Sequence, residues 1–338
     1  SAKYLNIALV FIQPNMIKLF RTFHPLSALP LFGLALFLHL FNRTEIDTSL
    51  ANTSVVPLYR HLLLPADSTL FLPFATSKWL GFILLFSQAL LFNKVINTHN
   101  LLGKPSFLPG LLYIVCTSFA DTLGVFSPVL LVNFILIWLL NQFLSSYRKA
   151  DARDLIFDMG LLIGLGTILY APFIFFLAIV WLGLLIFRSF NWREWAMALL
   201  GLATVAFFLA FYYYWNGQLS NWLSYWQLSR TENPISKLPS LVLIVIALIG
   251  ILGLIQLRAN FFRSIVHIRK SFQLLSALFG VVILSSVLAY GIQLNHYVLA
   301  TVPLSVLLSY YFMHASKAWI YESLFILLLG SMLYFQWV

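Results

Sequence analysis

Ten carboxylates are spread over 338 residues, and their positions limit the chemistry this chain can attempt. Glu45 and Asp47 stand one residue apart in NRTEIDTSL, Asp67 follows in PADSTL, Asp121 lies in SFADTLGVFSP, and Glu232 lies in SRTENPIS. A carboxylate at the edge of a cavity serves as a general base toward a hydroxyl, or as an oxygen ligand for a hard cation. The same groups also read as solvated loop charges, and Asp121 as a helix cap. Basic groups in comparable stretches are Arg43, Arg60, His61, Arg230 and His296. Arg offers phosphate a two-pronged fork, and a protonated His offers a single charged donor. His296, beside Tyr297 in QLNHYVLATVPL, reads either as a phosphate ligand near the membrane plane or as a structural hydrogen-bonding group. Asp47, Glu45 and Asp121 are therefore the candidate catalytic residues, and His296, Arg60, Arg230 and Tyr297 the candidate substrate-binding residues.

Several chemistries find no support. The chain has no Walker A loop, no GxGxxG after a strand, no HExxH and no paired CxxC. Nucleotide hydrolysis, dinucleotide binding and thiolate zinc sites are unsupported on that ground. No cofactor is indicated; a divalent metal is compatible with the acids, but no motif asks for one. The lone cysteine, Cys116, lies in an apolar run and reads as a small buried residue. The formal charge of +10 is a matter of topology in a chain this apolar, so nucleic acid is not an expected partner.

The elements that must position these groups are membrane helices. The sequence is 61% hydrophobic and 9% charged, with a mean hydropathy of +0.92. A soluble domain carries about 25% charged residues. Apolar runs near helix-spanning length dominate, rather than short alternating strands, so an all-α polytopic transmembrane bundle is expected. The stretch from Asn133 to Trp195 organises it: an apolar helix ends in SSYRKADARD, a glycine-spaced run follows, Pro172 breaks it, and RSFNWREW closes it. Both charged connectors then fall on one side of a membrane, with a helical hairpin between them. The spans are read at about 23–41, 78–97, 107–120, 126–147, 158–170, 172–187, 195–215, 239–257, 271–291, 297–313 and 318–336, which makes about 11.

The chain is read as a single transmembrane domain over 1–338, with an interfacial lead-in at 1–22 and outer loops at 42–77 and 216–238. Within the first loop VVPLYRHLLL reads as a surface-lying amphipathic helix. Five basic residues, Arg43, Arg60, Lys78, Arg230 and Lys237, fall on the outer side, and the other 15 of the 20 on the inner side. Positive-inside bias then sets the N-terminus in the cytoplasm of a bacterial inner membrane. Asp151, Arg153, Asp154 and Asp158 are expected to pair locally at helical spacing. Gly160, Gly164 and Gly166 are expected to let their helix approach a neighbour closely.

NFILIWLLNQF, GLLIGLGTILYAPFIFF and LIFRSFNWREW resemble a Bacteroidota family of integral membrane proteins with no assigned function. The layout over about residues 20–315 also resembles the C-type membrane glycosyltransferases, which use polyprenyl-phosphate sugars. In that family a first helix leads into a long outer loop with a catalytic acid and a surface helix; here those are Glu45 or Asp47 and VVPLYRHLLL. Asp121, SSYRK, GLLIGLGTIL and NHYVLATVPL stand where the family has an outer acid, a basic helix end, a glycine-leucine hairpin and a late basic-tyrosine element. Two departures are visible: Ile46 separates the two acids, and Tyr170 stands where the family has Lys or Arg.

The resemblance implies sugar transfer on the outer face. Asp47 or Glu45 would act as base, with Asp121 assisting and His296, Arg60 or Arg230 meeting phosphate at a lipid-facing rim. The alternative is a non-catalytic subunit or scaffold of an envelope complex, with protein partners on its loops. A transporter is disfavoured because carboxylates are scarce in the centres of the spans. Membrane lipids are expected partners under every reading.

Overall fold

A computed structural model of the chain describes residues 16–41, 74–118, 127–147, 149, 151–217, 240–260, 265–289 and 294–337. Its elements are α1 (Met16–Phe20), α2 (Ala28–Phe41, after a 3-10 turn at Pro25–Ser27), α3 (Phe74–Thr98), α4 (Leu108–Thr117), α5 (Pro128–Ser146) and α6 (Arg153–Leu169). A 3-10 segment, Ala171–Phe176, leads into α7 (Leu177–Phe187), followed by α8 (Trp192–Trp215), α9 (Ser240–Asn260) and α10 (Val266–Ala289). A second 3-10 segment, Leu294–Ala300, leads into α11 (Thr301–His314), and α12 (Ala318–Trp337) ends the bundle. The fold is all-helical, with no strand element among the described residues. Among the described residues, five helices are long and apolar enough to cross a membrane: Lys78–Thr98, Pro128–Ser146, Trp192–Trp215, Val266–Leu288 and His296–His314. Shorter apolar helices lie at Ala28–Leu40, Leu108–Thr117, Ala171–Phe187, Ile244–Ala259 and Ala318–Tyr334. The chain is a helical membrane protein.

Local chemistry explains where the helices begin and bend. Ser127 accepts from Leu130 N at 3.4 Å, with Pro128 in the first turn of α5, and Asn191 accepts from Arg193 N at 3.2 Å at the start of α8. These are an N-cap hydroxyl and an N-cap amide satisfying exposed helical N–H groups. Ser127 takes the N-cap position of α5. Pro172 stops α6: Tyr170 is extended, and the chain resumes as a 3-10 turn with Phe173 N donating to Tyr170 O at 3.0 Å. The Phe173 ring then folds back over Gly166, where a Cβ would stand 2.2 Å from Phe173 Cδ1.

The closest helix approach joins α6 to α8. A Cβ on Gly160 would lie 2.2 Å from Ala198 O, and a Cβ on Gly201 would lie 2.2 Å from Phe157 O. One turn on, a Cβ at Gly164 would meet Val205 Cβ at 2.7 Å. The expected close approach to a neighbouring helix is what the structure shows at Gly160 and Gly164, whereas Gly166 makes room for Phe173 of the following 3-10 segment. Absent side chains let two backbones touch, which matters in lipid because water drives no apolar association there.

Helix ends from the whole chain meet at one end of the bundle, held by cationic side chains that reach helical C-termini. Arg188 Nη1 donates to Lys149 O at 2.7 Å and to Ser146 O at 3.3 Å, and its Nε pairs with Glu194 Oε2 at 3.0 Å. Lys270 Nζ donates to Phe187 O at 3.4 Å. Arg21 donates to Phe312 O and Ala315 O, both at 2.8 Å, and lies over the Tyr321 ring at 4.0 Å. The last carbonyls of a helix have no partner within it, and a cation there also meets the negative end of the dipole. The connector at 99–107 ties the groups together: His99 Nε2 donates to Asn141 Oδ1 at 3.0 Å, and Phe107 N donates to Phe20 O at 2.9 Å. Both charged connectors of the central stretch therefore share one end, as their sequence suggests. Helix α1 is docked there too, with Ile17 N donating to Glu322 Oε1 at 3.1 Å.

At Arg153 the expected helical-spacing pair is replaced. Arg153 binds Asp151, two residues away and outside the helix, at 2.6 Å. This exposed pair, strengthened by the side-chain and backbone hydrogen bonds from Arg153, holds the Asp151 carboxyl well below the usual carboxylate range.

Candidate functional site

The opposite end of the bundle is formed by the close of α2, α4, α6, α8 and α10, and by the start of α3, α5, α9 and both 3-10 segments. Here the segment Leu294–Ala300 is a meeting point for two buried polar clusters. In a membrane helix bundle an uncharged polar side chain turned inward is satisfied by neighbouring helices rather than by water.

The first cluster is built on His296, which is 2% exposed. The extended Tyr170 at the α6 corner brings its hydroxyl to 2.8 Å from His296 Nδ1. His296 Nε2 lies 3.1 Å from Val282 O and 2.8 Å from Ser285 Oγ, and Ser285 Oγ donates to Val282 O at 2.9 Å. A carbonyl only accepts, so Val282 O assigns the proton to Nε2. Nδ1 then accepts from Tyr170, and Ser285 gives its proton to Val282 O and accepts from the ring. This is a neutral imidazole with both nitrogens engaged. It is not a serine activated by a base, because that would need the Ser285 proton directed at an unprotonated ring nitrogen. Tyr297, half-buried, meets the His296 ring edge to face at 6.4 Å. The interior position of His296 differs from the lipid-facing rim expected for a phosphate ligand.

The second cluster crosses three helices. Gln88 on α3 donates through Nε2 to Leu130 O and accepts from the Tyr113 hydroxyl of α4 at 2.8 Å. Asn133 on α5 donates through Nδ2 to Tyr113 Oη at 3.1 Å and to Val298 O of the 3-10 segment at 3.3 Å. Thr301, the first residue of α11, also donates to Val298 O, at 2.6 Å. Sequence reading passed over Gln88, Tyr113 and Asn133. The available signal for Gln88 and Asn133 was an amide side chain inside each of the apolar runs LLFSQALLF and LLVNFILIW.

Glu45, Asp47, Arg60, Asp121 and Arg230 lie outside the described residues, as do Asp67, His61, Glu232 and the VVPLYRHLLL segment. Of the candidate site residues the structure places His296 and Tyr297, at the end of the bundle where the helices flanking the other segments begin and finish. Among the described residues no group of three or more His, Cys, Asp or Glu is arranged to hold a metal ion. Every described carboxylate, Asp151, Asp154, Asp158, Glu194 and Glu322, lies at or near the other end of the bundle, the end stitched together by Arg21, Arg188 and Lys270.

Comparison with known proteins gives a family without a mechanism. The chain belongs to DUF6427, a family of unknown function, which it matches over residues 52–338. No curated protein and no solved structure matches it. The matched region starts after α2, yet Leu31, Ala35 and Leu38 of α2 are buried in the same core.

Proposed function

We propose that this member of the DUF6427 family is a multi-pass protein of the bacterial inner membrane, with a cytoplasmic N-terminus and about 11 spans. We further propose that it transfers a sugar from a polyprenyl-phosphate carrier to an acceptor on the outer face. One observation supports this reading above others. All five carboxylates that do not belong to the stitched end fall in segments flanked by helix termini of the opposite end. A chain that otherwise avoids charge thus carries its remaining acids in the segments that join helix termini of one end.

In this reading Asp47 or Glu45 takes the proton of the acceptor hydroxyl as that oxygen attacks the anomeric carbon. The bond from that carbon to the carrier phosphate breaks, and Arg60 and Arg230 stabilise the departing phosphate. Asp121 assists on the same face. Tyr297 borders the site, and His296 fixes the 3-10 segment beneath it. The spans beyond the five long apolar helices are the shorter apolar helices and α6, whose length suits elements that border a groove.

Labelled polyprenyl-phosphate sugars supplied to the purified chain in nanodiscs, together with an envelope extract as the source of acceptor hydroxyls, test the reading. Release of polyprenyl phosphate is expected, with a fall of about 100-fold or more in Asp47→Asn or Glu45→Gln. No release from a folded preparation, or release indifferent to both substitutions, overturns the enzyme.

A second reading, a non-catalytic subunit of an envelope complex, is favoured by α8. Only 17% of its span is buried, and Phe207, Phe208, Phe211 and Trp215 are all exposed. Crosslinking from α8 to one reproducible envelope protein, with no sugar release, would select it.

A further inference from the structure

We propose that the amide oxygen of Asn133 holds an internal water molecule between α4, α5 and the start of α11. Asn133, Gln88, Tyr113, Thr117 and Thr301 are all 0% exposed. Asn133 Oδ1 is fully buried and has no hydrogen-bond partner among the described residues. Interchanging the amide oxygen and nitrogen does not resolve this. Val298 O can only accept, so the atom facing it must be Nδ2.

Neighbouring side-chain donors are already committed. Tyr113 gives its one proton to Gln88 Oε1, Thr117 gives its proton to Tyr113 O at 2.6 Å, and Thr301 gives its proton to Val298 O. One amide proton of Gln88 goes to Leu130 O, and those of Asn133 go to Tyr113 Oη and Val298 O. Asn133 Oδ1 is thus left without a donor from the protein, which is unfavourable for a buried acceptor.

Water supplies that donor and fits the remaining partners. The hydroxyls of Thr117 and Thr301 both lie against the Tyr113 hydroxyl, and each keeps acceptor lone pairs after its proton is assigned. A water donating to Asn133 Oδ1 therefore has further oxygens to meet, within the two to four polar partners a buried water needs. A sodium ion fits less well, because it needs several oxygens not already facing donors, and Val298 O is approached by two. The site lies within two turns of the outer ends of α4 and α5, so water there fastens these helices to the 3-10 segment.

Structure determination in nanodiscs, in sodium buffer and in choline buffer, tests the site directly. A solvent peak within hydrogen-bonding distance of Asn133 Oδ1 in both buffers is expected. A peak confined to the sodium sample overturns the water in favour of a cation, and a well-ordered Asn133 without a peak overturns the site. Infrared difference spectra in H2O and 18O-labelled water give an independent reading on the native protein. An isotope-shifted O–H stretch from an ordered interior water that has exchanged with the labelled solvent is expected, and its absence counts against the proposal. In a folded Asn133→Leu variant that band should be lost, and its persistence would assign it elsewhere.

Discussion

At the scale of single residues, position relative to the membrane surface decides what a charge does. Arg188 is the clearest case. It satisfies two carbonyls at the end of α5 and pairs with Glu194, which is 4% exposed. Removing the cation leaves a buried carboxylate alone, and such a change costs about 3 kcal/mol at the low end of the usual range. Arg188→Met should therefore lower the melting temperature in mild detergent much more than Glu194→Gln, which keeps an acceptor for Arg188. Equal effects would mean that the carbonyl contacts, not the pair, hold this corner. Asp151 makes the opposite point, because its pair with Arg153 is open to water. Its folded-state value is depressed, so any contribution is present above about pH 4, the ordinary range, and is lost only as the pH falls through the folded value. An NMR titration should find the Asp151 carboxyl still ionised where free carboxylates are half protonated. Screening by water makes Asp151→Asn nearly neutral for stability at pH 7.

At the scale of elements, the α6–α8 seam gives the sharpest contrast. Gly160 and Gly201 each face backbone carbonyls at a distance no Cβ tolerates, whereas a Cβ at Gly280 or Gly330 meets nothing within 4 Å. Gly160→Ala or Gly201→Ala should cost about 1–3 kcal/mol or displace α8. Gly280→Ala and Gly330→Ala should be neutral or stabilising by up to about 1 kcal/mol, since alanine has the better helix propensity. Folded yield and melting behaviour of the four variants, compared side by side, check this; uniform behaviour would remove the seam. This seam was legible in sequence because glycines at helical spacing in an apolar run have few other uses. The apolar helices were legible too, but their ends were not. The run beginning near 158 starts as a helix at Arg153, and that beginning near 271 starts at Val266. Apolarity marks only the part of a helix that meets lipid, and the helix continues into the polar interface with Arg153, Arg269 and Lys270 in it. The run from 297 hides a 3-10 segment because His296 and Val298 are fixed by distant partners, Tyr170 and Asn133. No local pattern announces contacts between residues 126 or 165 positions apart.

At the scale of the whole molecule, charge and hydrogen bonding describe the same asymmetry. Every described Lys and Arg except Lys78 lies at the stitched end or within about two turns of it. Positive-inside bias predicts that such an end faces the cytoplasm, and the contacts give those cations a structural task besides. Arg21, Arg188 and Lys270 close helical C-termini, so moving them outward would also unravel the end of the bundle. The orientation is measurable by thiol labelling in a Cys116→Ser background, where the native thiol is buried and its loss removes any background signal. Arg153→Cys and Lys317→Cys sit on exposed residues of the stitched end, and Asn216→Cys sits on an exposed residue at the far end of α8. With a membrane-impermeant reagent on intact spheroplasts, Asn216→Cys should react at once. Arg153→Cys and Lys317→Cys should react only after permeabilisation. The reversed pattern would invert the protein in the membrane and remove the acids of the outer segments from any periplasmic role. Reaction of all three from one side would break the alternation itself, because α8 would then fail to cross, even though its 24 residues are ample for about 30 Å of hydrocarbon.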